Sequence, residues 1–450
     1  MTRVLILSHT TGYQLRAFND AAEALGVELV FATDRCHRLD DPWQDRAVAV
    51  RFYDIESSVD AIVRRARELP IDGLIAVGDR PVVLAAHTAA AVGLRWHSVA
   101  GAQASTDKRR SRAALAAAGL PSPRFVISDS RSGSDERGAR TEDPGLGIGD
   151  PGSGIKDQGL GIQDQGFGFP LVLKPVGLSG SRGVIRANDD AELAEARARI
   201  GALLARPAIK AARTGLEDTI IVEEYIDGRE FALEGVLTEG RLRTFAIFDK
   251  PDPLVGPFFE ETIYVTPSRE PAVIQDRIEE HVSLAARALG LYHGPVHAEC
   301  RVTQGGKIYV LEVAARPIGG LCSRVLSFTS GADGSHVSLE SVLIRHAVGQ
   351  SIDAYVREPQ AAAVMMIPIP RRGLYKGVSG ENLAHAVSGV TEIRMTAKVD
   401  QLLEPLPEAG SYLGFIFAKG SEPADAEAAV RDAHAHLTFR ITAPLAVSTR

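Results

Sequence analysis

Short apolar runs alternating with amphipathic stretches set the rhythm of the first hundred residues. Val4 to Leu7 reads as a buried strand, Tyr13 to Leu25 as a helix stopped at Gly26, and Val27 to Ala32 as a second strand. Gly73 to Val77 repeats the apolar run, and Pro81 to Val92 repeats the helix, with Gly93 as its stop. Strand, helix, strand in this order predicts a small α/β layer. Its first loop, Ser8-His9-Thr10-Thr11-Gly12, lacks the G-x-G-x-x-G of a dinucleotide site.

Thr106 and Asp107 can cap a helix from Lys108 to Ala118, closed by Gly119 and then Pro121. A strand near Arg124 to Ile127 gives way to a different texture. Ser130 to Phe169 is rich in glycine and nearly free of branched apolar residues, and Gly145 to Ile148 returns imperfectly as Gly159 to Ile162. Neither its spacing nor a following helix supports a phosphate loop or a calcium repeat, so residues 129–168 are expected to form a disordered surface insertion.

Strands resume at Leu171 to Lys174, Ile220 to Glu224, Glu230 to Leu237 and Arg243 to Phe248, with a helix from Asp190 to about Leu204. Pro271 opens a helix that ends near Gly290, and Gly294 to Val302 with Lys307 to Ala314 form a hairpin. Beyond Arg345 the pattern is α+β, with strands near Ala363 to Ile367 and Gly414 to Ala418 and a helix from Ala424 to Leu437. The breaks divide the chain into 1–105, 106–345 and 346–450, which matches the usual ~150 residues per domain for a chain of 450.

Composition narrows the function. Apolar residues make up 45% and charged residues 24%, so a large core is available without staples. A net charge of −7 supplies no general footprint for nucleic acid or an anionic membrane, and an anionic ligand would need a local cluster of cations. Cys36, Cys300 and Cys322 are too few and scattered for a disulfide framework, and none has C-x-x-C spacing. The apolar run near the N-terminus is too short for a signal peptide, so a cytoplasmic location is expected.

Four constellations carry candidate chemistry. In the first, Lys174 closes a strand and the loop Gly177-Leu178-Ser179-Gly180-Ser181-Arg182-Gly183 follows. Such a loop can fold N–H groups and hydroxyls over an anion, or it can be an ordinary turn beside an exposed lysine. The second is Glu223-Glu224-Tyr225-Ile226 with Glu230, a strand–turn–strand whose backbone could face an adenine edge, or a plain hairpin with solvated acids.

The third constellation is the hairpin. A two-residue turn at Gly305-Gly306 pairs Gln304 with Lys307 and sets Glu299 opposite Glu312. Two opposed carboxylates repel and call for a cation, either a metal ion or Arg301 two residues along. The fourth is Arg316-Pro317-Ile318-Gly319-Gly320, where Arg316 could neutralise a phosphoryl group or simply pair with Glu312.

Together and in this order, the four resemble the ATP-grasp superfamily, and more narrowly its carboxylate–amine ligases typified by L-amino-acid ligases. The resemblance spans about Thr106 to Arg345, and the first hundred residues resemble the Rossmann-like domain that precedes it. It implies an α/β and α+β molecule: a pre-ATP-grasp domain, an ATP-grasp domain and a C-terminal α+β cap. It also implies that Lys108 and Lys174 contact ATP phosphates while Ser179, Gly180, Ser181 and Gly183 close over them. Glu223, Glu224 and Ile226 would line adenine, Glu230 would hold ribose, and Glu299 and Glu312 would carry Mg2+, with Mn2+ as an alternative. Arg316 would act on the transferred phosphoryl group, and Glu261, Arg316, Gly319 and Gly320 would meet the substrates. The implied reaction joins a small-molecule carboxylate to an amine, both expected to be amino acids, through an acyl phosphate, with release of ADP and phosphate. The segment ending Glu261-Thr262-Ile263-Tyr264 departs from the ligases' Glu, small residue, Gly-His, placing tyrosine where they have histidine. Purine-pathway or other ATP-grasp ligases, and a non-catalytic ATP-binding accessory protein, are the alternatives.

Overall fold

The computed structural model describes residues 1–9, 14–34, 47–129 and 168–444. Of the glycine-rich insertion expected over 129–168, all but its two end residues lie outside the described residues, as do most of the first loop and Cys36, and Asp129 instead ends strand Phe125–Asp129. Among those described, no helix is long and apolar enough to cross a membrane.

The N-terminal layer is a four-stranded sheet in the order Val48–Ala49, Glu28–Thr33, Arg3–Ser8, Gly73–Val77, with parallel pairing throughout. Val4, Leu5, Ile6 and Leu7 are fully buried, because a parallel sheet is covered on both faces and needs a continuous apolar run. Helices Leu15–Leu25 and Val82–Val92 end on Gly26 and Gly93 in the left-handed region, as their sequence predicts. Between them lies Ile55–Glu68, capped by Asp54, which the periodicity had not marked.

Helix Lys108–Ala117 starts on Asp107, whose carboxylate accepts the N–H groups of Arg109 and Arg110. It leads into a small antiparallel sheet in the order Phe125–Asp129, Thr219–Glu224, Leu171–Pro175, Ile185–Ala187, backed by helix Asp190–Leu204. This lobe has its own apolar cluster, including Leu171, Leu173, Ile200 and Val222.

The largest element is an eight-stranded sheet. Its order is Ile308–Ala314, Gly294–Val302, Arg229–Thr238, Arg241–Asp249, Ile263–Thr266, Ala361–Ile367, Gly414–Gly420, Val390–Met395. Ile263–Thr266 pairs with Ala361–Ile367, so the C-terminal strands extend the same sheet that carries the predicted chemistry. Helix Ala272–Leu289 packs on it, and one apolar cluster runs from Leu5 and Leu74 through Leu233 to Val282 and Val310. The edge of the N-terminal layer is thereby held against the large sheet.

Candidate functional site

A cavity of about 240 Å³ is lined by the small lobe, the large sheet and a C-terminal loop. From the small lobe, Lys174 sets its Nζ 2.7 Å from Oε2 of Glu223, whose Oε1 accepts from Arg112 Nε at 2.7 Å. Burial alone would lift the Glu223 carboxyl, but Arg112 and Lys174 outweigh it and hold the group at about 2. Glu224 pairs with Arg124 at 2.8 Å. Both carboxylates are therefore committed to cations of this chain, while Ile226 lines the cavity beside them.

Lys108 reaches across to the glycine loop, donating from Nζ to the Leu178 carbonyl at 2.6 Å. Gly180, Ser181 and Gly183 have φ of 65°, 56° and 70°, a left-handed path for which glycine is suited and Ser181 is unusual. The loop is also strapped from outside. Gly183 N–H donates to the Pro407 carbonyl at 2.8 Å, and Arg199 and Arg206 pair with Glu408 and Glu404 at 2.5 and 2.6 Å. Tyr412, just beyond that strap, lines the cavity.

Glu299 stands opposite Glu312, as expected, but the path to that register differs. The turn is not the two-residue Gly305-Gly306 form. Thr303 N–H donates to Lys307 O at 2.9 Å, giving a three-residue loop with Gly306 at φ 75°. That shifts the ladder by one, so Cys300 faces Val310, and an irregularity between Glu299 and Cys300 shifts it back.

The cation beside these acids is neither Arg301 nor, among the described residues, a partner of Glu312. Arg301 turns away, donating to Glu230 at 2.8 Å and to the carbonyls of Ile226 and Leu254 at 2.7 and 2.5 Å. Lys250 takes the place instead. Its Nζ meets Glu230 at 2.9 Å, Glu261 at 2.5 Å and Glu299 at 3.1 Å, with the lysine side chain 3% exposed. Oxygens of these three acids lie within 4.8 Å of one another, the closest convergence of candidate metal ligands among the described residues. Glu312 is relieved differently: burial raises its carboxyl and Glu299 pushes the same way, against the pull of Lys108.

Arg316 does not pair with Glu312 either. Its Nε donates to Oδ1 of Asp79 at 2.7 Å and its Nη2 to Oδ2 at 3.3 Å. The loop after it is fixed by Glu234, which accepts from Ile318 N–H at 3.1 Å, and by Gln14, which donates to the Ile318 carbonyl at 2.8 Å. Glu234 is wholly buried, so its carboxyl is raised, and His297 beside it at 3.1 Å is lowered to about 3 by burial and Arg316. Gly319 and Gly320 follow at the cavity wall.

Glu261 and Tyr264 form the remaining wall. The Tyr264 hydroxyl lies 3.0 Å from Glu261 Oε2, and Lys250 sits 5.1 Å from the phenol ring centre. Burial, then Glu299, pushes the Glu261 carboxyl up to about 8 against the pull of Lys250. A carboxyl raised on folding contributes stability below its unfolded value of 4.5, and that contribution is lost as pH rises through about 8. Melting temperature is therefore expected to decline across that window. Glu261→Gln should flatten the decline by a few degrees, at ~2–4 °C per kcal/mol for a large domain. Thermal melts at a series of pH values check this, and an unchanged slope in the variant removes Glu261 as its source.

Sequence reasoning missed Asp79, Glu234, Arg112 and the central place of Lys250. Asp79 alone carried a signal. It follows the C-terminal end of a parallel strand, where ligands of open α/β sheets gather.

Three family models match the chain: ATP-grasp N-terminal domain over residues 19–94, ATP-grasp domain over 167–325, and L-amino acid ligase C-terminal domain 2 over 365–442. An uncharacterized protein of Sinorhizobium fredii is 26% identical over 280 residues, covering 61% of this chain and 54% of the relative. Alanine–anticapsin ligase of Bacillus subtilis is 25% identical over 280 residues, covering 59% and 52%. A D-alanine–D-alanine ligase of Aromatoleum aromaticum is 29% identical over 214 residues, covering 47% and 56%. The chain spans about half the length of the curated relatives it matches. The crystal structure of L-amino acid ligase from Bacillus licheniformis superposes with a TM-score of 0.78 at 23% identity, covering 98% of this chain and 99% of that one. Phosphoribosylglycinamide synthetase from Anaerococcus prevotii does so at 0.63 and 16%, covering 98% and 100%. The chain thus contains an ATP-grasp domain with an ATP-grasp N-terminal domain ahead of it, and it carries an L-amino acid ligase C-terminal domain.

Proposed function

We propose that this chain is an ATP-dependent carboxylate–amine ligase. ATP phosphorylates a carboxylate to an acyl phosphate, and an amine then displaces phosphate to leave an amide, ADP and phosphate. The observation that carries this reading is the meeting in one cavity of Lys108, Lys174, the glycine loop, the Glu299–Glu312 pair and Arg316. Phosphoryl transfer asks a protein mainly for positioning and charge neutralisation, and these residues supply both.

Lys108 and Lys174 contact the phosphates, with the 177–184 loop as the lid that keeps water from the acyl phosphate. Adenine lies along Glu223, Glu224 and Ile226. Ribose contact by Glu230 requires Lys250 or Arg301 to share an oxygen, since each already holds one. The carboxylate oxygens of Glu299 and Glu312 are a hard donor set suited to Mg2+, or to Mn2+. That ion, when bound, would supply charge neutralisation at the phosphate oxygens. Arg316, Gly319, Gly320 and Glu261 face the reacting carboxylate and amine. The name D-alanine–D-alanine ligase supports amino acids as both substrates, and alanine–anticapsin ligase supports an amino acid as one of them. Free, buried Cys300 and Cys322 accord with a reducing cytoplasm.

The test is phosphate release from ATP and Mg2+ across pairs of amino acids, with product mass read alongside. The expected result is release that depends on both partners and a product lighter by one water than their sum. If adding an amine changes nothing across a broad panel, the carboxylate–amine reading fails.

A further inference from the structure

Asp79 belongs to the N-terminal layer, yet its carboxylate holds Arg316, which lines the cavity. It follows the fully buried strand Gly73–Val77, one residue beyond Gly78 at φ 88°. Both its oxygens are engaged by Arg316, at 2.7 and 3.3 Å, and among the described residues that guanidinium's other hydrogen bond goes to its own neighbour, the Pro317 carbonyl at 3.1 Å. A carboxylate gripping two nitrogens of a planar guanidinium fixes its tilt as well as its position. Burial alone would raise that carboxyl, but Arg316, with smaller contributions from Ser179 and Lys108, holds it below the usual carboxylate range. One acid thus joins two separately folded pieces: the parallel sheet and the loop that carries Arg316.

We propose that Asp79 is a positioning residue for phosphoryl transfer, holding Arg316 in its working orientation. The proposal rests on the ligase reading for what Arg316 does, but its geometric part stands apart from turnover. A simple interdomain peg would show its loss in melting temperature and leave turnover per folded molecule unchanged.

Two measurements decide it. The first is a double-mutant cycle of Asp79→Asn and Arg316→Lys, read as kcat for amide formation and as ATP affinity by calorimetry. Asp79→Asn is expected to lower kcat about tenfold or more with ATP affinity within about threefold, and the double variant to be no slower than Arg316→Lys alone. Fully additive losses, or an Asp79→Asn variant with wild-type kcat, overturn the positioning role. The second needs no turnover: amide hydrogen exchange of Ala315 to Gly320. Asp79→Asn should speed exchange around Arg316 severalfold while leaving strand Gly73–Val77 unchanged. Wild-type exchange there overturns the hold on the arginine loop. If the unaltered protein forms no amide from any amino-acid pair, the ligase reading is what fails, and the exchange experiment alone decides Asp79.

Discussion

Glu312→Gln is expected to abolish turnover and leave the fold intact. Glu312 faces Glu299 across paired strands, and its carboxyl is raised by burial and by that neighbour, with Lys108 pulling the other way. Glutamine keeps the volume and ends the repulsion, so the unliganded variant should melt at or slightly above the wild-type temperature. Under the proposed function it also removes one anionic oxygen donor from the pair suited to Mg2+, which glutamine's neutral amide replaces poorly. Phosphate release at limiting Mg2+ and thermal melts on the same preparation check both halves. Near-wild-type turnover at limiting Mg2+ would sink the metal role. A melting point lower by more than roughly 5 °C would show instead that the carboxyl is needed for packing, given ~2–4 °C per kcal/mol.

How much of this was legible in the sequence depends on the range of each interaction. Elements set by local pattern were read closely: Gly73–Val77, Asp190–Leu204 and the stops at Gly26, Gly93 and Gly290 follow from runs and caps within a few residues. The opposition of Glu299 and Glu312 was also legible, though for a reason only half right. The expected turn was one residue too short, and the irregularity beside Cys300 restored the register that the longer loop had displaced. A pleated hairpin tolerates this because the buried face, which holds Cys300, Val302, Ile308 and Val310, still has to point inward.

Cation partners were not legible at all. Lys250 lies 49 residues from Glu299 in sequence and Arg316 lies 237 from Asp79, and nothing in either neighbourhood announces the other. Arg301 was the nearest cation to Glu299 along the strand, yet its guanidinium finds the carbonyls of Ile226 and Leu254 and a buried acid, which satisfy more of its donors than one shared carboxylate could. Buried charges take the partner that completes their hydrogen bonding, and sequence proximity is a poor guide to which one that is.

Arg316→Lys should leave ATP binding largely intact and lower kcat by about a hundredfold or more. The scale is that of losing one preorganised donor, ~2.7–4 kcal/mol in a transition state. Asp79 makes the substitution sharper than a change of shape alone. It grips two nitrogens of the guanidinium, and lysine can offer only a point charge to the same carboxylate. The charge survives and the held orientation does not. Burial works against Arg316, but Asp79 and then Glu312 and Glu234 more than offset it and hold the guanidinium charged, so protonation is not what the variant changes. If Arg316 were only an interdomain peg, its replacement would lower the melting temperature and leave turnover per folded molecule unaltered. If it neutralises charge that develops during transfer, the loss falls on kcat, while ATP affinity by calorimetry stays within a few fold. Amine-dependent phosphate release and calorimetry on one preparation separate the two.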